Sequence, residues 1–177
     1  MRAVARALHG QLGIRIAVFS LMFVGCVFPP DLSPDTTDAA LNAAPSITSV
    51  RADNTEFQEL ATLVFEQGEN AGTLVLGLYD TDASDELLVK IFVDYNNPDP
   101  TPPRSGCSSA AHTVDRSCTA EMNGVCQTSD IGAIRIMQVI VFDRPLLDFG
   151  EPRYQHMEPG GLAATRTFFL RCQESSL

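Results

Sequence analysis

Leu74-Val-Leu-Gly-Leu-Tyr79 and Leu87-Leu-Val-Lys-Ile-Phe-Val93 are two apolar runs on either side of the polar segment Asp80-Thr-Asp-Ala-Ser-Asp85. Leucine, β-branched and aromatic residues dominate both runs, and every second residue is apolar, so each run could bury one face as a strand. Two such runs around a short polar segment are typical of paired strands. We therefore predict that residues 73–95 form a hairpin at the centre of a β domain.

Three other segments carry strand patterns. Residues 47–51 are predicted to form the first strand of the domain. Residues 133–143 have apolar side chains on both faces, which favours a central strand, and residues 164–171 are predicted to form the last strand. Roughly six or seven strands with almost no helix indicate a mainly β fold, an antiparallel β-sandwich.

Residues 57–65 admit two interpretations. Phe57, Leu60 and Val64 are spaced as on one face of a helix, whereas Leu63 and Phe65 alternate as in a strand. We predict a short helical turn that leads into a strand.

The composition describes a globular and acidic protein. The chain has 177 residues, of which 45% are hydrophobic and 19% charged, which is enough apolar material for one ordinary core. The net charge of −10 argues against nucleic acid as a partner, because phosphates would be repelled. The chain also has no Trp to stack on bases.

The first 25 residues have the composition of a targeting segment. Arg2, Arg6 and Arg15 make it positive, and no acidic residue precedes Asp31. The apolar run at 16–24 is too short to span a bilayer but has the length of a signal-peptide core. We expect a signal-peptide helix here that is not part of the fold.

The segment Leu21-Met-Phe-Val-Gly25-Cys26 resembles the lipobox of bacterial lipoproteins, in which a small residue precedes an invariant lipid-modified cysteine. The resemblance implies cleavage before Cys26 and attachment of acyl chains such as palmitate, and two or more chains suffice for stable membrane anchoring. Val27, where Asp would retain a lipoprotein in the inner membrane, implies transfer to the outer membrane of the cell envelope. An ordinary secretory signal and an uncleaved anchor are the alternatives.

Prolines and acidic residues dominate the segment that follows. It contains Pro29, Pro30, Pro34 and Pro45, and such a composition favours an extended, disordered tether. We therefore divide the chain into a lipoprotein signal peptide at 1–25, a lipidated cysteine and linker at 26–45, and a β-sandwich domain at 46–177.

Cysteine usage indicates an oxidising compartment. With Cys26 assigned to lipid, four cysteines remain: Cys107, Cys118, Cys126 and Cys172. An even number in an exported domain predicts two disulfides, and all three connectivities stay open, because a sandwich would bring the four sulfurs to one end. Zinc is disfavoured, since no Cys-x-x-Cys pair exists and His112 is the one imidazole nearby.

The predicted strands resemble an immunoglobulin-like module of the kind carried by bacterial surface proteins. The resemblance rests on the Asp-x-Asp segment between the hairpin strands, on Val93-Asp-Tyr95 and on Val141-Phe-Asp-Arg144. It covers residues 46–172 and implies an immunoglobulin-like β-sandwich at the level of architecture.

Asp80, Asp82 and Asp85 are the candidate metal ligands. Oxygen ligands at nearly alternate positions suit Ca²⁺. Compared with an EF-hand loop, however, Asp85 stands where glycine is needed and Ile91 where the bidentate glutamate belongs. A calcium site like those between cadherin-type modules is one interpretation, and a solvated turn whose side chains bond their own backbone is the other. No other cofactor is indicated.

No residue pattern indicates catalysis. His112 and His156 both lie in predicted loops, and nucleophile elbow, zincin, phosphate-loop and dinucleotide motifs are absent from the sequence. We predict a membrane-anchored lipoprotein, not an enzyme, that presents its sandwich as a structural or protein-interaction module to another envelope protein. The alternative is a calcium- or carbohydrate-binding surface adhesin.

Overall fold

The structure, a computed structural model, describes residues 42–68 and 71–175. These residues form nine β-strands and a three-residue 3-10 helix, Thr128–Asp130, and contain no α-helix. The strands are β1 (Ser46–Ala52), β2 (Thr55–Glu56), β3 (Thr62–Glu66), β4 (Thr73–Tyr79), β5 (Leu87–Val93), β6 (Ser105–Ser109), β7 (Asp115–Glu121), β8 (Ile134–Phe142) and β9 (Ala163–Gln173). The prediction of a mainly β fold is therefore confirmed.

Three sequence predictions concern residues wholly or mostly outside this part of the chain. The predicted signal peptide and Cys26 both precede residue 42, as does most of the linker. Within the described ranges, no helix is long and apolar enough to cross a membrane.

The strands form two sheets. The first has the order β2-β1-β4-β7 and the second the order β3-β9-β8-β5-β6. All neighbouring pairs are antiparallel except β3 and β9, which run parallel with Thr62 opposite Phe169. β8 lies between β9 and β5, which confirms the prediction of a central strand at 133–143.

The two strands of the predicted hairpin do not pair with each other. β4 lies between β1 and β7 in the first sheet, and β5 lies between β6 and β8 in the second. The segment between them crosses from one sheet to the other instead of joining two neighbouring strands of one sheet. Both strands have one apolar face, and in this arrangement the two faces cover each other across the core. The strands were predicted correctly, but their pairing was wrong.

One hydrophobic core lies between the sheets. Leu74, Leu76 and Leu78 contribute to it from the first sheet, and Val89 and Ile91 contribute from the second; all five are buried. Side chains alternate across a strand, so every second residue of β4 and β5 reaches this core. Burial of each such side chain stabilises the fold by about 1.5–3 kcal/mol.

The ambiguous segment at 57–65 forms a turn and then β3, without a helix. Leu63 and Phe65 are buried, whereas Leu60 and Val64 are exposed, so the strand alternation describes the segment and the helical spacing does not. The N–H of Leu60 donates to the carbonyl oxygen of Thr167 at 2.8 Å, which joins the turn to β9. The predicted helical turn was therefore wrong and the strand after it was right.

Two strands that the sequence patterns do not predict lie between β5 and β8. β6 and β7 occupy a segment in which small and polar residues outnumber large apolar ones. The buried positions of β7 are Arg116, Cys118 and Ala120, none of which is a large aliphatic residue. Both are edge strands, a position that tolerates polar and small residues.

Two disulfides connect the cysteines, as predicted. Cys107 of β6 is bonded to Cys118 of β7, and Cys126 is bonded to Cys172 of β9. The first bond therefore joins edge strands of different sheets. Pairing across β5 and β8 aligns Cys107 with Ala164, which is about 25 Å along β9 from Cys172. The expectation that all four sulfurs lie at one end was wrong.

The β8–β9 loop, residues 143–162, folds back over the outer face of the second sheet. Phe92, Ile140 and Phe142 are buried there in a second, smaller core, separate from the one between the sheets. The rings of Tyr95 and Phe92 pack edge-to-face, and the Tyr95 hydroxyl donates to the carbonyl oxygen of Arg153 at 2.5 Å. The loop covers the part of this face nearest β5 and leaves the first residues of β8 exposed.

Candidate functional site

The predicted metal-binding segment forms a tight polar turn between β4 and β5. Asp80 and Asp85 are buried, and Asp82 is half-buried. The N–H of Asp82 donates to Asp80 Oδ1 at 2.9 Å, and Ser84 donates to Asp82 Oδ1 from its N–H at 3.1 Å and from its hydroxyl at 2.6 Å. These are the local side-chain-to-backbone bonds that the turn interpretation predicts.

Arg116 of β7 holds this turn from inside the protein. Its buried guanidinium donates to the carbonyl oxygens of Asp82 at 2.7 Å and Thr113 at 2.5 Å, and also to the carbonyl oxygen of Asp85. An arginine fork presents several donors in a fixed plane, which suits converging carbonyl groups. The main-chain oxygens of Asp82 and Asp85 therefore each accept a hydrogen bond from a protein cation.

The carboxyl groups of Asp82 and Asp85 differ in the direction of their pKa shifts. Hydrogen bonds from Ser84 lower the pKa of Asp82. Burial raises the pKa of Asp85, and the guanidinium of Arg144, 3.7 Å from Asp85 Oδ1, offsets part of that effect. Asp82 thus keeps its charge readily, whereas Asp85 carries its charge at a cost.

The described residues contain no group of three or more His, Cys, Asp or Glu side chains placed to hold a metal ion. Asp80 Oδ2 and Asp85 Oδ2 are nevertheless buried, and neither has a hydrogen-bond partner within residues 42–68 and 71–175. Asp80, Asp82 and Asp85 lie in one turn, and a calcium site at this turn remains a prediction.

A groove lies between the β8–β9 loop and the outer face of β5. It encloses about 410 Å³, and we call it the Lys90 groove. Its lining residues are Leu88, Lys90, Pro103, Pro145, Leu146, Leu147, Asp148 and Tyr154. A concave, mostly apolar site with a few polar groups is the usual form of a ligand pocket.

Lys90 is the positive group of this groove. It is the only lysine of the chain, and its side chain is half-buried on the outer face of β5. Its stem passes over Gly106 of β6, where a side chain would collide with the Val89 carbonyl oxygen. No hydrogen bond or ion pair joins Lys90 to another side chain of the described residues.

An apolar face lies on the other half of the outer surface of the second sheet. We define it by Val64, Ile134, Ile136 and Phe169, which are 49%, 59%, 47% and 37% exposed. Strand register places Phe169 between Thr62 and Ile136, and Arg171 between Val64 and Ile134, so the four apolar side chains share three adjacent strands. Thr62 and Arg171 lie among these four apolar side chains, and we treat the set as a candidate interaction surface.

The two histidines of the described residues contact the 80–85 turn and the β8–β9 loop through main-chain groups. His112 bonds through its backbone N–H to the carbonyl oxygen of Ala83 at 2.7 Å. His156 Nδ1 lies 2.8 Å from the carbonyl oxygen of Glu151 within the β8–β9 loop. Neither contact joins a histidine to a nucleophilic side chain.

Sequence reasoning missed the two residues that organise these sites. Arg116 occupies an inward position of the Arg116-x-Cys118-x-Ala120 alternation, and that pattern was the available signal for a buried arginine. Lys90 interrupts an otherwise apolar strand, which was the signal for an unusual cation.

A scan against protein-family models and a search of curated proteins each found no match to this chain.

Proposed function

We propose that this chain is an exported lipoprotein, anchored to the membrane through Cys26, that presents a disulfide-bonded immunoglobulin-like β-sandwich as a protein-interaction module. The lipobox resemblance at Gly25-Cys26 and the positive, then apolar, residues before it support the anchor. Two disulfides in the described domain fit an oxidising compartment.

The strand order supports the immunoglobulin-like architecture. Strands A, B, C, C′, E, F and G of that fold correspond in chain order to β1, β4, β5, β6, β7, β8 and β9. With this correspondence the sheets become A-B-E and G-F-C-C′, and the chain crosses between sheets from B to C, from C′ to E and from E to F.

The observation that carries the interaction role is the apolar face. The exposed isoleucine and phenylalanine side chains on adjacent strands are in unfavourable contact with water. A partner that covers them gains about 25 cal/mol per Å² of apolar surface buried. The acidic chain favours a protein partner in the envelope over anionic headgroups or nucleic acid. The proposed activity is binding, without a chemical step.

Metabolic labelling tests the anchor. Cells that produce the full chain are grown with radiolabelled palmitate, and the same is done with Cys26→Ala. We expect label in the wild-type protein and none in the variant, because Cys26 is the acylated residue. Equal labelling of both proteins, or labelling of neither, would refute the anchor.

Site-specific photo-crosslinking in cells tests the interaction. A photoreactive phenylalanine analogue replaces Ile136 in the apolar face, and in a matched control it replaces Phe149, a 73% exposed residue of the β8–β9 loop. We expect a discrete adduct from position 136 that disappears when Phe169→Asp is added. An adduct from position 149 alone, or one that persists in the double variant, contradicts the proposed surface.

The calcium-binding adhesin is the second candidate. The observation that favours it is the pair of buried, unpartnered carboxylate oxygens of Asp80 and Asp85. A thermal melt with and without Ca²⁺ tests it: a rise in midpoint that Asp80→Ala and Asp82→Ala abolish would support this function. An unchanged midpoint would leave the turn as a purely structural element held by Arg116.

A further inference from the structure

We propose that the Lys90 groove binds the carboxyl-terminal residue of a peptide, with the terminal carboxylate on the Lys90 ammonium and an apolar side chain against Leu146 and Tyr154. This inference rests on the proposed interaction function and names a second surface for it, separate from the apolar face.

Charge is the first argument. The chain carries a net charge of −10, yet the half-buried charge in this groove is positive and is bonded to no side chain of residues 42–68 or 71–175. The half-buried Lys90 side chain lies beside the apolar residues that line the groove, and a carboxylate is a suitable partner for its ammonium. Charge-assisted hydrogen bonds to a carboxylate are about twice as strong as neutral ones.

The apolar walls give the second argument. Leu88, Leu146 and Leu147 line the groove together with the ring of Tyr154. The Arg153 guanidinium lies over that ring, 4.9 Å from its centroid, and Tyr154 packs against the second core, so both contacts favour this position of the ring. These walls suit an aliphatic or aromatic side chain, and a small inorganic anion would leave them uncovered.

Asp148 selects among carboxylates. It lies in the same lining as Lys90, but the two side chains are not within ion-pair distance of each other. A ligand that carried only negative charge would be repelled by Asp148. The last residue of a peptide carries a carboxylate and an amide N–H on the same Cα, so it offers an acceptor to Lys90 and a donor to Asp148. The volume of about 410 Å³ is in the range of small-ligand sites.

The single lysine gives a direct readout. Reductive methylation of the full chain in detergent with ¹³C-formaldehyde labels Lys90 as the only lysine and keeps its charge. N-acetyl-L-phenylalanine is then titrated while the ¹³C-methyl resonance is followed by NMR. We expect a saturable shift with millimolar affinity. N-acetyl-L-phenylalanine amide, which lacks the carboxylate, and N-acetylglycine, which lacks the side chain, should each bind about tenfold more weakly.

Variants of the groove identify where the ligand binds. Their binding is measured by saturation transfer from protein to ligand. Lys90→Gln should weaken binding of N-acetyl-L-phenylalanine about tenfold, and Lys90→Arg should retain it. Arg51→Gln, which removes an exposed positive charge of β1, is the matched control and should bind as the wild type does. A thermal melt of each variant verifies that it is folded.

Three results would overturn the proposal: equal binding of the acid and the amide, undiminished binding by folded Lys90→Gln, or the absence of a saturable shift. The titration is repeated with Cys26→Ala. Loss of anchoring and loss of peptide binding are therefore separate results, and each bears on its own proposal.

Discussion

Arg116 Nη2 lies 2.7 Å from the carbonyl oxygen of Asp82, so a side chain of β7 holds the connection between β4 and β5. The same guanidinium also bonds the carbonyl oxygens of Asp85 and Thr113. Removal of these donors would leave one buried and two partly buried carbonyl oxygens without this partner. We expect Arg116→Ala to lower the free energy of unfolding by about 3 kcal/mol, measured by urea denaturation.

Arg116→Lys distinguishes charge from geometry. An ammonium keeps the charge but cannot reproduce the planar fork, so this variant should lose most of the same stability. Arg51→Ala, an exposed arginine without such bonds, serves as control and should change the free energy of unfolding by less than about 0.5 kcal/mol. Wild-type stability of Arg116→Lys would show that charge alone suffices.

Asp85 gives the stability a pH dependence of known sign. Burial raises its pKa, so the folded protein binds a proton more tightly than the unfolded chain does. The free energy of unfolding contributed by this group therefore falls as pH rises above the ordinary aspartate pKa of 3.8, and the loss is complete above the raised pKa.

Asp85→Asn removes this titration. As the pH is raised from about 3 to about 7, the free energy of unfolding of the variant should increase relative to that of the wild type. Urea denaturation at each pH measures this difference. Asp82 works in the opposite direction: its lowered pKa stabilises the fold above the unfolded pKa, and this contribution is lost in acid. A pH-independent difference for Asp85→Asn would contradict the assignment.

Asp130 joins two arginines that come from different parts of the chain. Its carboxylate accepts a hydrogen bond from Arg104 and lies 3.0 Å from Arg135 Nε, in an ion pair without hydrogen-bond alignment. It is almost fully buried. We expect Asp130→Asn to lower the free energy of unfolding by about 3 kcal/mol, since Arg104 loses its carboxylate partner and Arg135 keeps only Asp94. The exposed Asp99→Asn should have little effect in the same chemical denaturation series.

The two disulfides should contribute differently to the free energy of unfolding. Cys126–Cys172 closes a separation of 46 residues and Cys107–Cys118 one of 11. A disulfide stabilises the fold by restricting the unfolded chain, and a longer closed loop gives a larger effect. We therefore expect the first bond to contribute about 4 kcal/mol to the free energy of unfolding and the second about 3 kcal/mol. Paired substitutions to alanine, compared by urea denaturation, test this order. The reverse order would mean that native contacts around the shorter bridge, rather than loop closure, determine its effect.

Strong periodicity was sufficient to find the core strands. Leu74, Leu76 and Leu78 alternate with less apolar residues, and all three are buried as predicted. The partners of β4 were not predictable in the same way, because alternation indicates which face is buried and not which strand lies alongside. Seven-residue connections such as 80–86 serve equally well within a sheet or between sheets.

The candidate sites were less predictable because they depend on long-range contacts. Asp80, Asp82 and Asp85 lie within six residues and were easily recognised. The guanidinium that bonds the backbone of Asp82 and Asp85 belongs to β7, in a segment whose small and polar residues give no hydrophobic signal. The Lys90 groove likewise requires the β8–β9 loop to fold back onto β5. Sequence periodicity describes local conformation, and neither of these contacts is local.

The parallel pairing of β3 with β9 has a kinetic consequence. Thr62 lies opposite Phe169, so the edge of the second sheet combines an early and a late segment of the domain. Cys172, in the same last strand, must also arrive before its disulfide with Cys126 can form. Such high contact order makes folding slow, and a chain exported from its amino terminus would complete this sheet only after β9 has emerged. Until then the partly assembled sheet exposes side chains that are buried in the core of the folded protein, and a chaperone that covers them would act during this interval.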